Sequence, residues 1–144
     1  MTREPVADWA AARSDKWRRQ LLGLEAMLAP IDEALITALD IIKPLRIADV
    51  SCGGGATTID VWRRAPAGSV VQGFDLSPAL IEVARRRPGA DHREVAFEVA
   101  DMGTARRRGA PFDRLVSRLG IMFFGDPPAA FANLRRWLAP GGRF

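Results

Sequence analysis

The sequence predicts an α/β domain in which a parallel sheet carries helices on both faces. Three observations lead there. From Arg46 onward, short apolar runs alternate with stretches of helical periodicity. The first apolar run leads directly into Gly53-Gly54-Gly55. Two later runs close on aspartates, Asp75 and Asp101.

Each element follows from local pattern. Trp17, Leu21, Leu24 and Leu28 form an apolar helical stripe that Pro30 is expected to close. Ile31, Ala34, Leu35, Ala38, Leu39 and Ile42 repeat the stripe as a second helix ended by Pro44. Ile47-Ala48-Asp49-Val50 reads as a first strand, and a helix follows over about Thr57 to Arg64 before Pro66 and Gly68. Val70 to Phe74 is a second strand ending at Asp75. Ser77-Pro78 then opens a helix, since serine caps and proline suits the first helical position. Val95, Phe97 and Val99 alternate as a third strand, and Phe112 to Ser117 is a fourth. After Asp126-Pro127-Pro128 a helix is expected through Phe131, Leu134 and Leu138, stopped by Pro140-Gly141-Gly142. Arg143-Phe144 then reads as the first step of a fifth strand. The expected division is a helical segment over 1–44 and a sheet domain over 45–144.

Composition narrows the function classes. With 144 residues, 48% hydrophobic and 26% charged, the chain fits one globular domain. No apolar run reaches the ~20 residues of a membrane span. Met1 to Ala12 carries Arg3, Glu4 and Asp8, with no apolar core of a secretory signal. The single cysteine, Cys52, cannot form an intrachain disulfide, which fits a reducing, cytoplasmic setting. Net charge is +4, and nearly all of the 21 basic residues are arginines, the exceptions being Lys16 and Lys43. The arginines are dispersed and lack interleaved aromatics, so they read as solvated faces rather than a nucleic-acid surface.

Chemistry is expected at the strand ends, because open parallel sheets bind ligands beyond the carboxyl edge. Glycines after the first strand let a ligand approach the backbone. Asp75, 20 residues beyond Gly55, stands where a carboxylate can accept hydrogen bonds from ribose hydroxyls. Together these features imply a nucleoside-containing ligand. The dinucleotide fingerprint wants a small third residue at position 58, where Thr58 stands, which disfavours an NAD(P)-dependent oxidoreductase. Other readings stay open beside these. Asp75 also suits capping of the Ser77 helix, and Asp101 an ordinary strand-end turn. Cys52 suits small-residue packing beneath the loop, and no histidine partners it. His92 lies in a polar stretch and reads as exposed. Met122-Phe123-Phe124 fits either an acceptor mouth or the core.

Asp49-Val50-Ser51-Cys52-Gly53-Gly54-Gly55 resembles the D-x-G-x-G-x-G motif of class I S-adenosylmethionine-dependent methyltransferases. Gly73-Phe74-Asp75-Leu76-Ser77 resembles their acidic second motif, and Ala100-Asp101-Met102 their third. The stretch Phe112-Asp113, Ser117-Arg118, Gly120, Met122 to Phe124, Asp126-Pro127 and Leu138 to Arg143 is similar to their fourth strand and next helix. The wording resembles that of the small-molecule, ubiquinone/menaquinone-like branch, in order from about residue 15 to the end. The resemblance implies a Rossmann-like fold, S-adenosylmethionine as cofactor and a small-molecule methyl acceptor. It implies that Gly53 and Gly55, with Ser51 and Asp49 nearby, shape the methionine pocket. Asp75 would bind the ribose and Leu76 pack on the adenine. Asp101 would receive the adenine amino group beside the Met102 backbone, and Ser117 would line the methionine end. Trp17 and Gln20 would belong to a lid. No general base is assigned, since an activated acceptor needs none, and no metal cluster is expected.

Two departures shape the expectations. Ser51 occupies the first glycine position, so weaker cofactor binding is expected. The family's sheet has seven strands, and this chain reads as four to five of them, truncated as strand five begins. Strand four would then be an exposed edge open to self-association. A catalytically silent remnant, binding cofactor or forming oligomers, is the alternative function.

Overall fold

The computed structural model describes residues 6–144, with side chains described from residue 15. The Met1–Ala12 stretch, read above for a secretory signal, lies among residues 1–14, whose side chains are outside that description. The central strand β1 (Arg46–Val50) is buried at nearly every position. It pairs with β2 (Val70–Asp75) on one side and β4 (Phe112–Val116) on the other. β3 (Val95–Val99) lies outside β2, and β5 (Leu138–Arg143) lies outside β4. The order is β3-β2-β1-β4-β5, and every pairing is parallel. Asp49 faces Gly73 on β2 and Val116 on β4 in register.

Alternation along β1 separates two layers. Ile47 packs with Ile36 of α1 (Val6–Ala38), Leu39 just past its end, Val61 of α2 (Ala56–Arg64), Val71 and Val116. Ile59, Ile81, Ala84, Val95 and Phe97 extend this layer under α3 (Pro78–Arg85). Ala48 and Val50 face the opposite way, into Phe74, Phe112, Leu115 and Leu134 of α4 (Pro127–Arg135). Helices therefore cover both faces, as the sequence pattern predicts. Each fully buried Leu, Ile or Val contributes about 1.5–3 kcal/mol relative to exposure. The caps also follow the sequence: Leu80 N donates to Ser77 Oγ at 3.3 Å and Ala129 N to Asp126 Oδ1 at 3.1 Å.

Three expectations are corrected. The two leading helices are one, and α1 runs through Pro30. Proline costs a helix interior about 3 kcal/mol, but Pro30 is exposed and α1 is tied down on both sides of it. Glu25 pairs with Arg87, and Asp32 pairs with Arg118. Those anchors also turn the helix: Asp32 and Ile36 are buried, as is Leu39 just past its end, whereas Ile42 further on is 82% exposed. Next, α4 stops at Arg135 rather than running to Leu138. Trp137 turns under it, 5.1 Å from the Phe74 ring and 6.1 Å from that of Phe112.

The last correction concerns the sheet edge. Leu138 to Arg143 is already the fifth strand, so Pro140-Gly141-Gly142 lies inside β5 instead of ending a helix. Phe112 N donates to Trp137 O at 2.9 Å, and the pairing shifts register between Phe112 and Arg114. An outer strand with an irregular register tolerates a residue without an N–H. β4 is thus covered by β5, and the exposed strand-four edge expected to drive self-association does not exist.

Candidate active site

The strand order reverses between β1 and β4, and a crevice opens beyond the carboxyl ends of these strands and β2. The chain leaves β1 into a tight turn at Ser51–Gly55. Cys52 N donates to Phe74 O at 2.9 Å and Gly55 N to Cys52 O at 3.0 Å. Ser51 holds φ 58, in the left-handed region that costs a side chain about 1–2 kcal/mol. Gly120, from the loop after β4, lies against it: a Cβ there would collide with the Ser51 side chain.

Asp75 ends β2 beneath this turn. Its Oδ2 accepts from Gly53 N and its Oδ1 from Ser77 N, each at 2.8 Å. Burial pushes its pKa up, and those two N–H groups oppose the shift. A carboxylate offers about four lone-pair sites, so the turn orients Asp75 and leaves half of its acceptor capacity. Asp49 is 1% exposed. Thr58 Oγ1 donates to its Oδ2 at 2.7 Å, while Oδ1 has no partner among the described residues. Burial raises its pKa to about 7, against the opposing effects of the Thr58 hydrogen bond and the Arg118 charge. Cys52 is buried, and that burial, followed by the nearby Asp49 and Asp75, holds its thiol well above the usual range. It is therefore a packing residue rather than a thiolate nucleophile. After β3, Asp101 accepts from Gly103 N at 2.9 Å and Thr104 Oγ1 at 3.0 Å. The buried Met102 offers its carbonyl to Asn133 Nδ2 at 2.8 Å.

These groups surround one cavity of about 710 Å³, within the ~300–1,000 Å³ of small-ligand sites. Asp49, Ser51, Gly53, Asp75, Leu76, Asp101 and Met102 all line it. Two of the residues predicted from sequence do not. A Cβ on Gly55 (φ +83) would lie 2.8 Å from the Phe97 ring, so this glycine permits close packing of the turn on β3. Ser117 donates its hydroxyl back to Val50 O at 2.8 Å and braces β4 against β1. Apart from Glu25, the α1 side of the lining is apolar. Trp17, Leu21, Leu24 and Leu28 of α1 face the cavity, as do Met122, Phe123 and Phe124 from the loop after β4. The Trp17 and Phe123 rings meet edge to face at 6.2 Å. The Met122–Phe124 run thus borders the cavity, and Phe124 also packs against the core cluster beneath α4. Gln20 is exposed and outside the lining.

Sequence reading missed a polar frame around this cavity. Arg118 Nη1 donates to Asp32 Oδ2 at 2.6 Å, and Thr57 Oγ1 donates to Asp32 Oδ1 at 2.8 Å. Arg87 bonds both Gly54 O and Glu25 Oε1. Asp32 and Glu25 sit on one helix seven residues apart, the only sequence signal of a common face. Their partners lie 86 and 62 residues away, and no local pattern announces them. Among the described residues, no group of His, Cys, Asp or Glu could hold a metal ion. No helix among them is long and apolar enough to cross a membrane.

A five-stranded parallel sheet of this order, with its crevice at the glycine turn, defines a Rossmann-like α/β domain of the methyltransferase type. Residues 47–142 match the family described as "Methyltransferase domain", and the chain belongs to that family. It is similar to demethylmenaquinone methyltransferase of Thermus thermophilus, with 34% identity over 128 residues, covering 89% of this chain and 51% of that protein. Among solved structures, a TehB-like SAM-dependent methyltransferase from Corynebacterium glutamicum matches with TM-score 0.69 and 26% identity, covering 92% of this chain and 70% of that one. A SAM-dependent methyltransferase from Thiobacillus denitrificans, in complex with S-adenosyl-L-homocysteine, matches with TM-score 0.63 and 26% identity, over 77% and 44% of the two chains. The chain spans about half the length of the curated relatives it matches.

Proposed function

We propose that this chain forms the S-adenosylmethionine-binding core of a methyltransferase that acts on a small-molecule acceptor. One observation carries the reading: a single cavity is walled by the turn after β1, by Asp75 and by Asp101. Family membership and the neighbour bound to S-adenosyl-L-homocysteine support it. The donor set fits the cofactor. Asp75, oriented by Gly53 N and Ser77 N, keeps lone pairs for the ribose hydroxyls. Leu76 and Met102 offer apolar contact to the adenine, and Asp101 an acceptor for its amino group. The partnerless Asp49 Oδ1 suits the ammonium of the methionine part. When bound, the cofactor supplies a sulfonium-activated methyl group for transfer to a nucleophilic oxygen, nitrogen or carbon. The protein's part is positioning and exclusion of water.

Residues 1–44 act as the lid over the 45–144 core in this reading, and the apolar side of α1 that lines the cavity supports it. The named substrate of the Thermus relative supports a small organic acceptor. The unpaired Cys52 supports a cytoplasmic setting. Calorimetric titration of the chain with S-adenosyl-L-homocysteine tests the cofactor site, with Asp75→Asn as control. Saturable 1:1 binding, weakened at least tenfold by the substitution, is expected. A folded chain that binds no S-adenosyl-L-homocysteine, or binds NADH more tightly, overturns the reading.

A further inference from the structure

We propose that Arg118 is a carboxylate-recognition residue of the cavity, held in position by Asp32 and Thr57. Arg118 leaves β4 at the strand-order reversal and lines the cavity. Its side chain is 12% exposed, and its paired Asp32 side chain is 5% exposed. Only Nη1 is used by the protein among the described residues, in the 2.6 Å bond to Asp32 Oδ2. A guanidinium carries five N–H donors in a planar fork, so most of that fork remains for a ligand. Asp32 cannot swing away with it, because Thr57 Oγ1 holds the other carboxylate oxygen at 2.8 Å. The fork is therefore pre-aimed, and planar bidentate pairing with a carboxylate is what such a fork does best.

The surrounding charges favour the same ligand group. Asp49 lines the same cavity with its partnerless Oδ1. A carboxylate oxygen that accepts from a cation and a guanidinium that donates to an anion, in one cavity, complement a ligand with both charges. The carboxylate has two possible sources. One is the amino-acid part of the cofactor, which rests on the proposed function; the other is an acidic group on the methyl acceptor. In either case Arg118 touches the ligand, while Asp32 and Thr57 are positioning residues.

The test compares S-adenosyl-L-homocysteine with its analogue lacking only the α-carboxylate, on the wild-type chain, Arg118→Gln and Arg118→Lys. Arg118→Gln leaves Asp32 as a buried lone charge, so Asp32→Asn/Arg118→Gln, which removes both charges, is measured beside it. If the carboxylate is the cofactor's, the wild type binds S-adenosyl-L-homocysteine at least tenfold tighter than the analogue. The glutamine variants then bind both alike, at the analogue's affinity, and lysine restores part of the difference. If it is the acceptor's, both nucleosides bind all variants equally. The chain saturated with S-adenosyl-L-homocysteine then binds benzoate or succinate, and the glutamine variants do not. Folded glutamine variants with unchanged binding of all these probes overturn the proposal. A folded wild type that binds neither nucleoside refutes the cofactor reading instead, and benzoate and succinate titrations of the ligand-free chain then judge Arg118 alone.

Discussion

Replacing Asp49 by asparagine is expected to make the protein more stable and a poorer binder. In the unfolded chain the carboxyl ionises near 3.8, and in the folded protein near 7, because burial disfavours the charge. Between those values the native state holds a proton that the unfolded state has released, so stability falls as pH rises through this window and levels off above about 7. At ~1.36 kcal/mol per pKa unit, the accumulated cost at pH 8 is about 4 kcal/mol. Asparagine does not titrate and keeps an oxygen for the Thr58 hydroxyl, now at 2.7 Å from Asp49 Oδ2. Its amide gives back about 1–3 kcal/mol as desolvation. The net gain at pH 8 is about 1–3 kcal/mol, or roughly 3–9 °C in Tm for a domain of this size. The gain should shrink toward zero near pH 5, where the wild-type carboxyl is neutral in the fold. Thermal melts of both proteins from pH 5 to 8 read this directly. On the proposed function, binding of S-adenosyl-L-homocysteine should fall about tenfold or more, since Asp49 would no longer offer a charge to the ammonium. A Tm difference independent of pH, or a variant less stable at pH 8, would refute the argument.

Three further outcomes follow from the packing. Ser51→Gly removes the left-handed penalty at φ 58; set against the added freedom of the unfolded chain, it should raise stability by about 0.5–1 kcal/mol in urea unfolding. Gly120→Ala should cost at least about 2 kcal/mol, although its backbone at φ −79 suits alanine, because the new Cβ meets Ser51. In a double-mutant cycle most of that cost should vanish in the Ser51→Gly background; an additive cycle would show that the collision is not the cause. Leu134→Ala, at a side chain 1% exposed between α4 and the sheet, should cost about 2–5 kcal/mol in the same assay.

The fold was legible where one local signal had no competitor. Ser77-Pro78 and Asp126-Pro127 mark helix starts in any context, and both hold. The alternation at Val95, Phe97 and Val99 marks β3. Reading failed where a local breaker met a distant partner. Pro30 says that a helix ends, but Asp32 is already bound to Thr57 and Arg118 two residues later. Pro140-Gly141-Gly142 says that a helix stops, but β4 offers Phe112 and Arg114 as strand partners. Pairings across the fold override propensities whose magnitudes are a few kcal/mol at most.

The cavity shows the same division more sharply. Its strand-end carboxylates and glycine turn are contiguous motifs, because a strand can deliver a side chain to the sheet's edge only where it ends. The frame that holds the apolar wall over them is scattered. Glu25 and Asp32 reach Arg87 and Arg118 across 62 and 86 residues, and each pair joins α1 to a segment that borders the glycine turn or the reversal of strand order. Thr58 lies between the two kinds of signal. The sequence marks it as a misfit to a dinucleotide fingerprint, whereas the structure makes it the hydroxyl that holds Asp49. A small residue in that place would leave both Asp49 oxygens without partners in a buried site, at the full desolvation cost of the charge. The threonine that departs from one motif is thus what allows the aspartate of another to remain buried beside the cavity.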